Sequence, residues 1–429
     1  MTNDIQLLRR LPHPLGLLII TQFAFNVGFY LVVPFLASYL QDDLGLGTAL
    51  IGIILGLRTF SQQGLFFVGG ALSDWLGIKP VLLVGIAIRV AGFTTLALTR
   101  QLPVVVLGVV LIGLAAALFS PASESAILGI AGTVERQDGP PRTQVLGLQQ
   151  VASQAGSAVG PVLGGVVLFI PFRVTCLVAA GLFAVIGVVH AIWLPKGIRV
   201  GVRTRMTQSI AVVLRNRRFL GFAALNMVQL VAANQMYLAL PVEIHRSQNE
   251  STTITWYFLL ASILVITTQS RITLALHRFS TTRVLQIAHA GTALAFVPVA
   301  AVAWFPSPGG VWGVIPKVLL VVLVHVASMA IHPRARDTVG HLARENQLGA
   351  HMGVMASMGG LGVLLAGWPV GALLGWAETP GPLAVVPWLF LAALGAVAML
   401  ISAPVMRWVE SDEPARWPIF NAGLRRFGG

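Results

Sequence analysis

The sequence predicts an all-α membrane protein with twelve transmembrane helices in two pseudo-symmetric six-helix bundles. Three observations predict it. Of 429 residues, 56% are hydrophobic and only 10% charged, with a mean hydropathy of +0.83; a soluble core has no use for so much apolar surface. Apolar runs of helix-spanning length recur along the whole chain, and a run of ~20 residues crosses a bilayer core of ~30 Å. Features of the first six runs also return in the last six at a nearly constant offset, the mark of an internal repeat.

In order, the runs fall near 15–38, 49–71, 80–99, 103–126, 143–170 and 173–194, then 218–241, 253–275, 282–304, 313–333, 350–374 and 384–405. The first follows Arg9 and Arg10, but it is too long for a signal-peptide core and carries Asn26, so it reads as a retained helix. The longest polar connection, 195–217, is rich in arginine and separates an N-terminal bundle (1–194) from a C-terminal bundle (218–405) and a tail (406–429). Of the 28 Lys and Arg, only Arg100, Arg173, Arg246 and Lys317 fall in or beside alternate connections, and only Arg58 and Arg89 lie deep within spans. The positive-inside rule then puts the basic connections, the linker and both termini in the cytoplasm. The repeat is concrete: Tyr30-Leu31-x-x-Pro34 recurs as Tyr237-Leu238-x-x-Pro241, Gly160-Pro161 as Trp368-Pro369, and Pro121 as Pro333.

The net charge of +13 does not point to nucleic acid, because the basic residues lie between apolar runs. Cys176 is the single cysteine, which excludes an intrachain disulfide. No phosphate loop, metal-ligand cluster or nucleophile triad is present, so neither cofactor nor metal is expected and the chain does not read as an enzyme. Asn249-Glu250-Ser251 fits a glycosylation sequon by pattern alone.

Residues 156–165 read Gly-Ser-Ala-Val-Gly-Pro-Val-Leu-Gly-Gly inside the fifth run. In water each Gly costs a helix about 1 kcal/mol and Pro about 3 kcal/mol, but neighbouring helices in a bilayer re-satisfy freed backbone groups. Gly156, Gly160 and Gly164 share one face, with Pro161 and Gly165 beside them, so a partner backbone can pack close. This segment resembles the GxxxGPxxGG signature of antiporters of the major facilitator superfamily (MFS). Residues 70–79, Gly-Ala-Leu-Ser-Asp-Trp-Leu-Gly-Ile-Lys, resemble the MFS loop signature GxLxDrxGrkxx. Gly70, Leu72, Asp74, Gly77 and Lys79 match it, while Trp75 and Ile78 replace two usual basic residues. Gly28 and Pro34 match part of a drug-exporter signature in the first helix. The arginine of an RxxQG signature in the fourth helix is missing near Gly113. From Gly56-Leu57-Arg58 through Gln62-Gln63-Gly64 to Asp74, the chain looks like the MdtH-type multidrug exporters.

That resemblance implies a monomer in the bacterial cytoplasmic membrane, exporting amphipathic drugs in exchange for protons by alternating access. It also implies a pathway lined by helices 1, 2, 4, 5, 7, 8, 10 and 11. The expected partners are a small-molecule substrate, protons and lipid.

Arg58 lies ~13 Å into the second span, close to the midplane, and Arg89 is equally deep in the third. A midplane arginine costs ~2.5 kcal/mol or more and should face a partner or water. No Asp or Glu occurs at that depth, which favours neutral, zwitterionic or anionic cargo over organic cations. Arg58 either contacts substrate or ties its helix to a neighbour; Arg89 reads as structural. Gln62 lies one turn on from Arg58. Gln22, Asn26 and Tyr30 form a polar stripe on helix 1, faced by Asn234 and Tyr237 on helix 7. For proton coupling the candidates are His325 at mid-depth, with Asp74 and Glu124 near the inner helix ends. Phe119, Trp256, Tyr257, Phe258, Met329, Met355 and Met358 supply adaptable apolar surface. The alternatives are export of an anionic metabolite, lipid or siderophore, and uncoupled facilitation.

Overall fold

The computed structural model describes residues 8, 11–137, 139–167, 170–195, 213–247, 253–306, 311–343 and 348–411. Most of the 195–217 linker, the sequon and the tail beyond 411 lie outside them, as do the side chain of Asp74 and the surroundings of Gly165. The described residues form twelve long helices and no strand. They are α1 (His13–Asp43), α2 (Thr48–Leu76, with a π turn at Phe60–Gly64), α3 (Ile78–Leu98), α4 (Leu102–Arg136), α5 (Arg142–Val167) and α6 (Phe172–Trp193). The second half repeats them as α7 (Arg217–Arg246, broken between Asn234 and Ala239), α8 (Thr253–Leu276), α9 (Thr281–Ala303), α10 (Val311–Leu342), α11 (Leu348–Gly375) and α12 (Pro382–Glu410).

Eleven of these are both long and apolar enough to cross a membrane. The exception is α5, whose 26 residues include Gln149, Gln150, Ser153, Gln154 and Ser157. These polar residues lower its hydropathy, while Val151, Val159 and Leu163 remain exposed. Below, "inner" denotes the end carrying the basic connections.

The packing repeats with the sequence. Within the first half α1 packs on α5 and α6, α2 on α4, and α3 on α4 and α6; within the second, α7 packs on α11 and α12, α8 on α10, and α9 on α10 and α12. Between the halves the two largest interfaces are α2–α11 and α5–α8, which are again images of each other. A pseudo-two-fold axis along the membrane normal produces this pattern.

Glycines make the tight crossings of α5 on α1 and of α2 on α11. A Cβ on Gly156 would sit 2.5 Å from the Phe23 carbonyl oxygen, and one on Gly160 would sit 2.6 Å from the Tyr30 Cβ. One on Gly164 would run into the Phe35 ring. The expected small-residue face of α5 is therefore pressed on α1. Along α2–α11 a Cβ on Gly52 would overlap the Gly367 carbonyl, and one on Gly360 would sit 2.8 Å from the Gly64 nitrogen. Ser357 donates from Oγ to the Gly64 carbonyl at 2.8 Å in the same seam.

The helices bend where the repeat places proline. Pro34 has no N–H to give, and α1 tightens to a 3₁₀ turn at Val33–Phe35. Near the matching Pro241, α7 unwinds into turns over 235–238, which brings Tyr237 off the helix axis. Gly77 takes φ +89°, a left-handed turn that favours glycine, and reverses the chain between α2 and α3. The Lys79 ammonium then donates to the Ala191 and Leu194 carbonyls at 2.8 and 2.5 Å, capping the C-terminus of α6.

Replacing Gly160 by Val should lower the thermal unfolding midpoint of purified protein, because overpacking costs about 1–3 kcal/mol. Gly181→Ala, where an added Cβ meets nothing, should leave the midpoint unchanged.

Candidate functional site

At the depth where α1 and α7 bend, the two halves meet over a patch of polar and aromatic side chains. Arg58 of α2 is 3% exposed and sits immediately before the π turn. Its guanidinium donates from Nη1 to the Gln62 Oε1 at 3.2 Å and from Nη2 to the Thr59 Oγ1 at 3.0 Å. The Thr59 hydroxyl donates onward to the Asn234 Oδ1 at 3.0 Å, which carries the network from the first half into the second. The guanidinium carbon lies 5.3 Å from the Tyr237 ring centroid and 5.6 Å from that of Phe29, in range for cation–π attraction. The Phe258 ring of α8 closes the patch, 5.3 Å from Tyr237 and 6.2 Å from Tyr30 between centroids. The predicted group of Arg58, Gln62, Tyr30, Asn234 and Tyr237 is therefore brought together.

Asn26 is turned to another use. Its Nδ2 donates to the Ser153 Oγ at 2.9 Å and to the Gln22 carbonyl at 3.1 Å, so it pins α1 to α5 just below Gly156.

Arg89 is wholly buried on the far side of Phe29. Its guanidinium carbon lies 4.2, 5.2 and 5.4 Å from the centroids of Phe25, Phe183 and Phe29, and Nη2 donates to the Ile112 carbonyl at 3.2 Å. Phe29 is thus shared by two guanidiniums. Neither arginine forms an ion pair among the described residues. The Arg58 Nε and the Arg89 Nε and Nη1 are buried without a hydrogen-bond acceptor. Two positive charges at mid-membrane without a carboxylate are costly, and the donors left open favour an incoming acceptor group.

The proton-coupling candidates lie elsewhere. The His325 ring bonds through Nδ1 to the Val321 carbonyl of its own helix at 2.8 Å. Glu124 is solvent-exposed on the inner part of α4. No hydrogen bond or ion pair joins either to Arg58 among the described residues.

At the outer end the halves touch through His245 Nε2 and Asp42 Oδ1, 3.9 Å apart, and Thr255 of α8 donates to the Pro161 carbonyl of α5 at 3.1 Å. Glu243, Arg246 and Lys317 were expected in or near outer connections, but all three are buried within helices. Arg246 holds Glu243 through two bonds of 2.6 and 2.9 Å, and Lys317 donates to the Ser247 hydroxyl at 2.8 Å. The Glu243–Arg246 pairing permits α7 to continue past its apolar run.

Several of the apolar candidates prove to be packing residues or lie off the pathway. Phe119 stacks on Phe25 at 3.9 Å inside the first half, and Trp256 is 66% exposed. Thr59 and Phe29 carried no sequence signal beyond their adjacency to Arg58 and Tyr30.

A family model described as Major Facilitator Superfamily matches residues 18–367. An uncharacterized MFS-type transporter of Mycobacterium tuberculosis is 34% identical over 90% of this chain and 91% of its own length. The multidrug resistance protein MdtH of Klebsiella pneumoniae is 28% identical over 87% of this chain and 89% of its own. MdtH of Escherichia coli O157:H7 is 25% identical over 89% and 92%. Two solved structures share the fold at low identity. One is the nucleoside transporter NupG, with a TM-score of 0.74, 15% identity and coverage of 92% of this chain and all of that one. The other is an auto inhibited POT family peptide transporter, with 0.77, 15%, 92% and 97% for the same quantities.

Replacing Arg58 by Gln should leave the unfolding midpoint of the purified protein unchanged or raise it, since neutralising an unpaired buried charge is neutral to stabilising. A fall of many degrees would make Arg58 a structural tie.

Proposed function

This chain belongs to the Major Facilitator Superfamily, and from that premise we propose that it exports amphipathic organic compounds in exchange for protons. The observation that carries the cargo reading is Arg58: buried, without a carboxylate partner among the described residues, and flanked by the rings of Phe29 and Tyr237. Its open donor suits a carboxylate or other acceptor group on the cargo, while Tyr30, Tyr237 and Phe258 offer aromatic surface to the apolar part. Gln62 and Asn234 supply the remaining polar contacts. An organic cation finds no anionic partner here, so acidic and zwitterionic amphiphiles are the favoured class.

Alternating access follows from the two halves and their pseudo-two-fold axis. The α1–α5 seam keeps the first half rigid, so it moves as a body against the second about the site. The relationship to MdtH proteins, named for multidrug resistance, and the helix-5 glycine motif support drug export by antiport. For the proton, the candidates are His325 and Glu124 on pathway helices, with Asp74 at the loop between α2 and α3. Export of an anionic metabolite uses the same pocket and is the second reading, favoured by the same absence of a carboxylate.

The test is drug-triggered proton movement in proteoliposomes carrying an imposed pH gradient and a trapped pH indicator. Antiport predicts that acidic and zwitterionic amphiphiles dissipate the gradient. Drug flux with no pH change would establish a facilitator and overturn the coupling.

A further inference from the structure

The internal repeat has a consequence at the inner end of the bundle. Pro121 of α4 and Pro333 of α10 are equivalent positions, and three residues beyond each the chain carries opposite charges: Glu124 and Arg336. Both side chains are solvent-exposed, as is His332 one turn before Arg336. Among the described residues neither Glu124 nor Arg336 has a hydrogen bond or ion pair, and α4 and α10 have no packed interface. Arg336 nevertheless acts electrostatically on the Glu124 carboxylate, so the two face the same space.

Residues related by a two-fold axis that both face it must approach each other when the halves rock together. Like charges there would oppose closure, whereas opposite charges favour it. The outer end shows the complementary condition, closed by contacts across the halves at Asp42–His245 and Thr255–Pro161. The structure is thus closed at its outer end and open between α4 and α10 at its inner end.

We propose that Glu124 and Arg336 form an inter-half ion pair that exists only when the inner end closes, acting as the latch of the outward-open state. It exchanges with the outer contacts, so one end is held while the other is open. Its neighbour Arg334 already has a fixed task, donating from Nη2 to the Leu276, His277 and Phe279 carbonyls at 3.0, 3.0 and 3.2 Å. That leaves Arg336 as the mobile cation of the pair. The inference requires alternating access but not a drug substrate or proton coupling.

The test uses full-length protein in membranes with Cys176→Ala, carrying Glu124→Cys and Arg336→Cys, and a thiol-to-thiol reagent of one-disulfide reach. Crosslinking is the expected result, and its absence in correctly folded protein overturns the proposal. A second measurement keeps the charges: alkylation of a thiol at His332→Cys by a hydrophilic reagent, again with Cys176→Ala. Glu124→Gln should raise the alkylation rate about fivefold, in the range of a modest conformational coupling. Exchanging the charges, with Glu124→Arg and Arg336→Glu together, should restore the original rate. An unchanged rate in Glu124→Gln, or no rescue by the exchange, contradicts the latch. Neither readout involves transport, so failure here is separate from failure of the export reading.

Discussion

Inside a bilayer the hydrophobic effect does not draw helices together, since lipid tails are as apolar as leucine. What remains is close backbone approach, and this protein depends on two such seams. In one, α5 presents Gly156, Gly160 and Gly164 to α1 with no room for a Cβ. That seam makes the first half a rigid body. In the other, Gly52 and Gly367, with Gly64 and Gly360 further along, bring α2 and α11 into contact across the halves. The first seam fixes where Tyr30 stands, and the second fixes where Arg58 stands. The site between them is a by-product of how tightly these backbones approach.

The second constraint is electrostatic. Arg58 and Arg89 are buried at mid-depth and held by hydroxyl, amide and carbonyl oxygens and by aromatic faces, not by a counter-charge. Contrast Arg246, equally buried but clamped to Glu243 by two short bonds. The chain is able to pair a buried arginine and does so away from the candidate site. At the site it leaves the charge open, which is the arrangement expected of a place that receives its partner from outside.

Much of the fold was legible because a bilayer imposes a simple code. Twelve apolar runs became twelve helices, and the Tyr-Leu-x-x-Pro repeat falls where both α1 and α7 lose regular helix. The α5 motif was legible for the same reason, since glycine at four-residue spacing has few other uses in a span. Helix ends were not legible: α4 and α10 extend to Arg136 and Leu342, well beyond the apolar runs, because helix formation continues after hydropathy stops. Arg246 was misplaced because α7 likewise runs past its apolar stretch, and Lys317 because a buried ammonium bonded to the Ser247 hydroxyl reads in sequence as a connection charge. The Thr59 bridge to Asn234 and the place of Phe29 between two guanidiniums depend on side chains meeting across helices, which periodicity within one helix does not encode. The α2–α11 seam was hidden because its glycines lie on two distant segments, each unremarkable alone.

The central claim is that an unpaired Arg58 selects cargo by charge. Its most direct measurement is the transport rate of an amphipathic carboxylic acid relative to its methyl ester, in proteoliposomes holding the unaltered protein or the Arg58→Gln variant. The account predicts that the unaltered protein prefers the acid and that Arg58→Gln abolishes the preference while still moving the ester. Equal rates for acid and ester in the unaltered protein, or a preference that survives in Arg58→Gln, would contradict it.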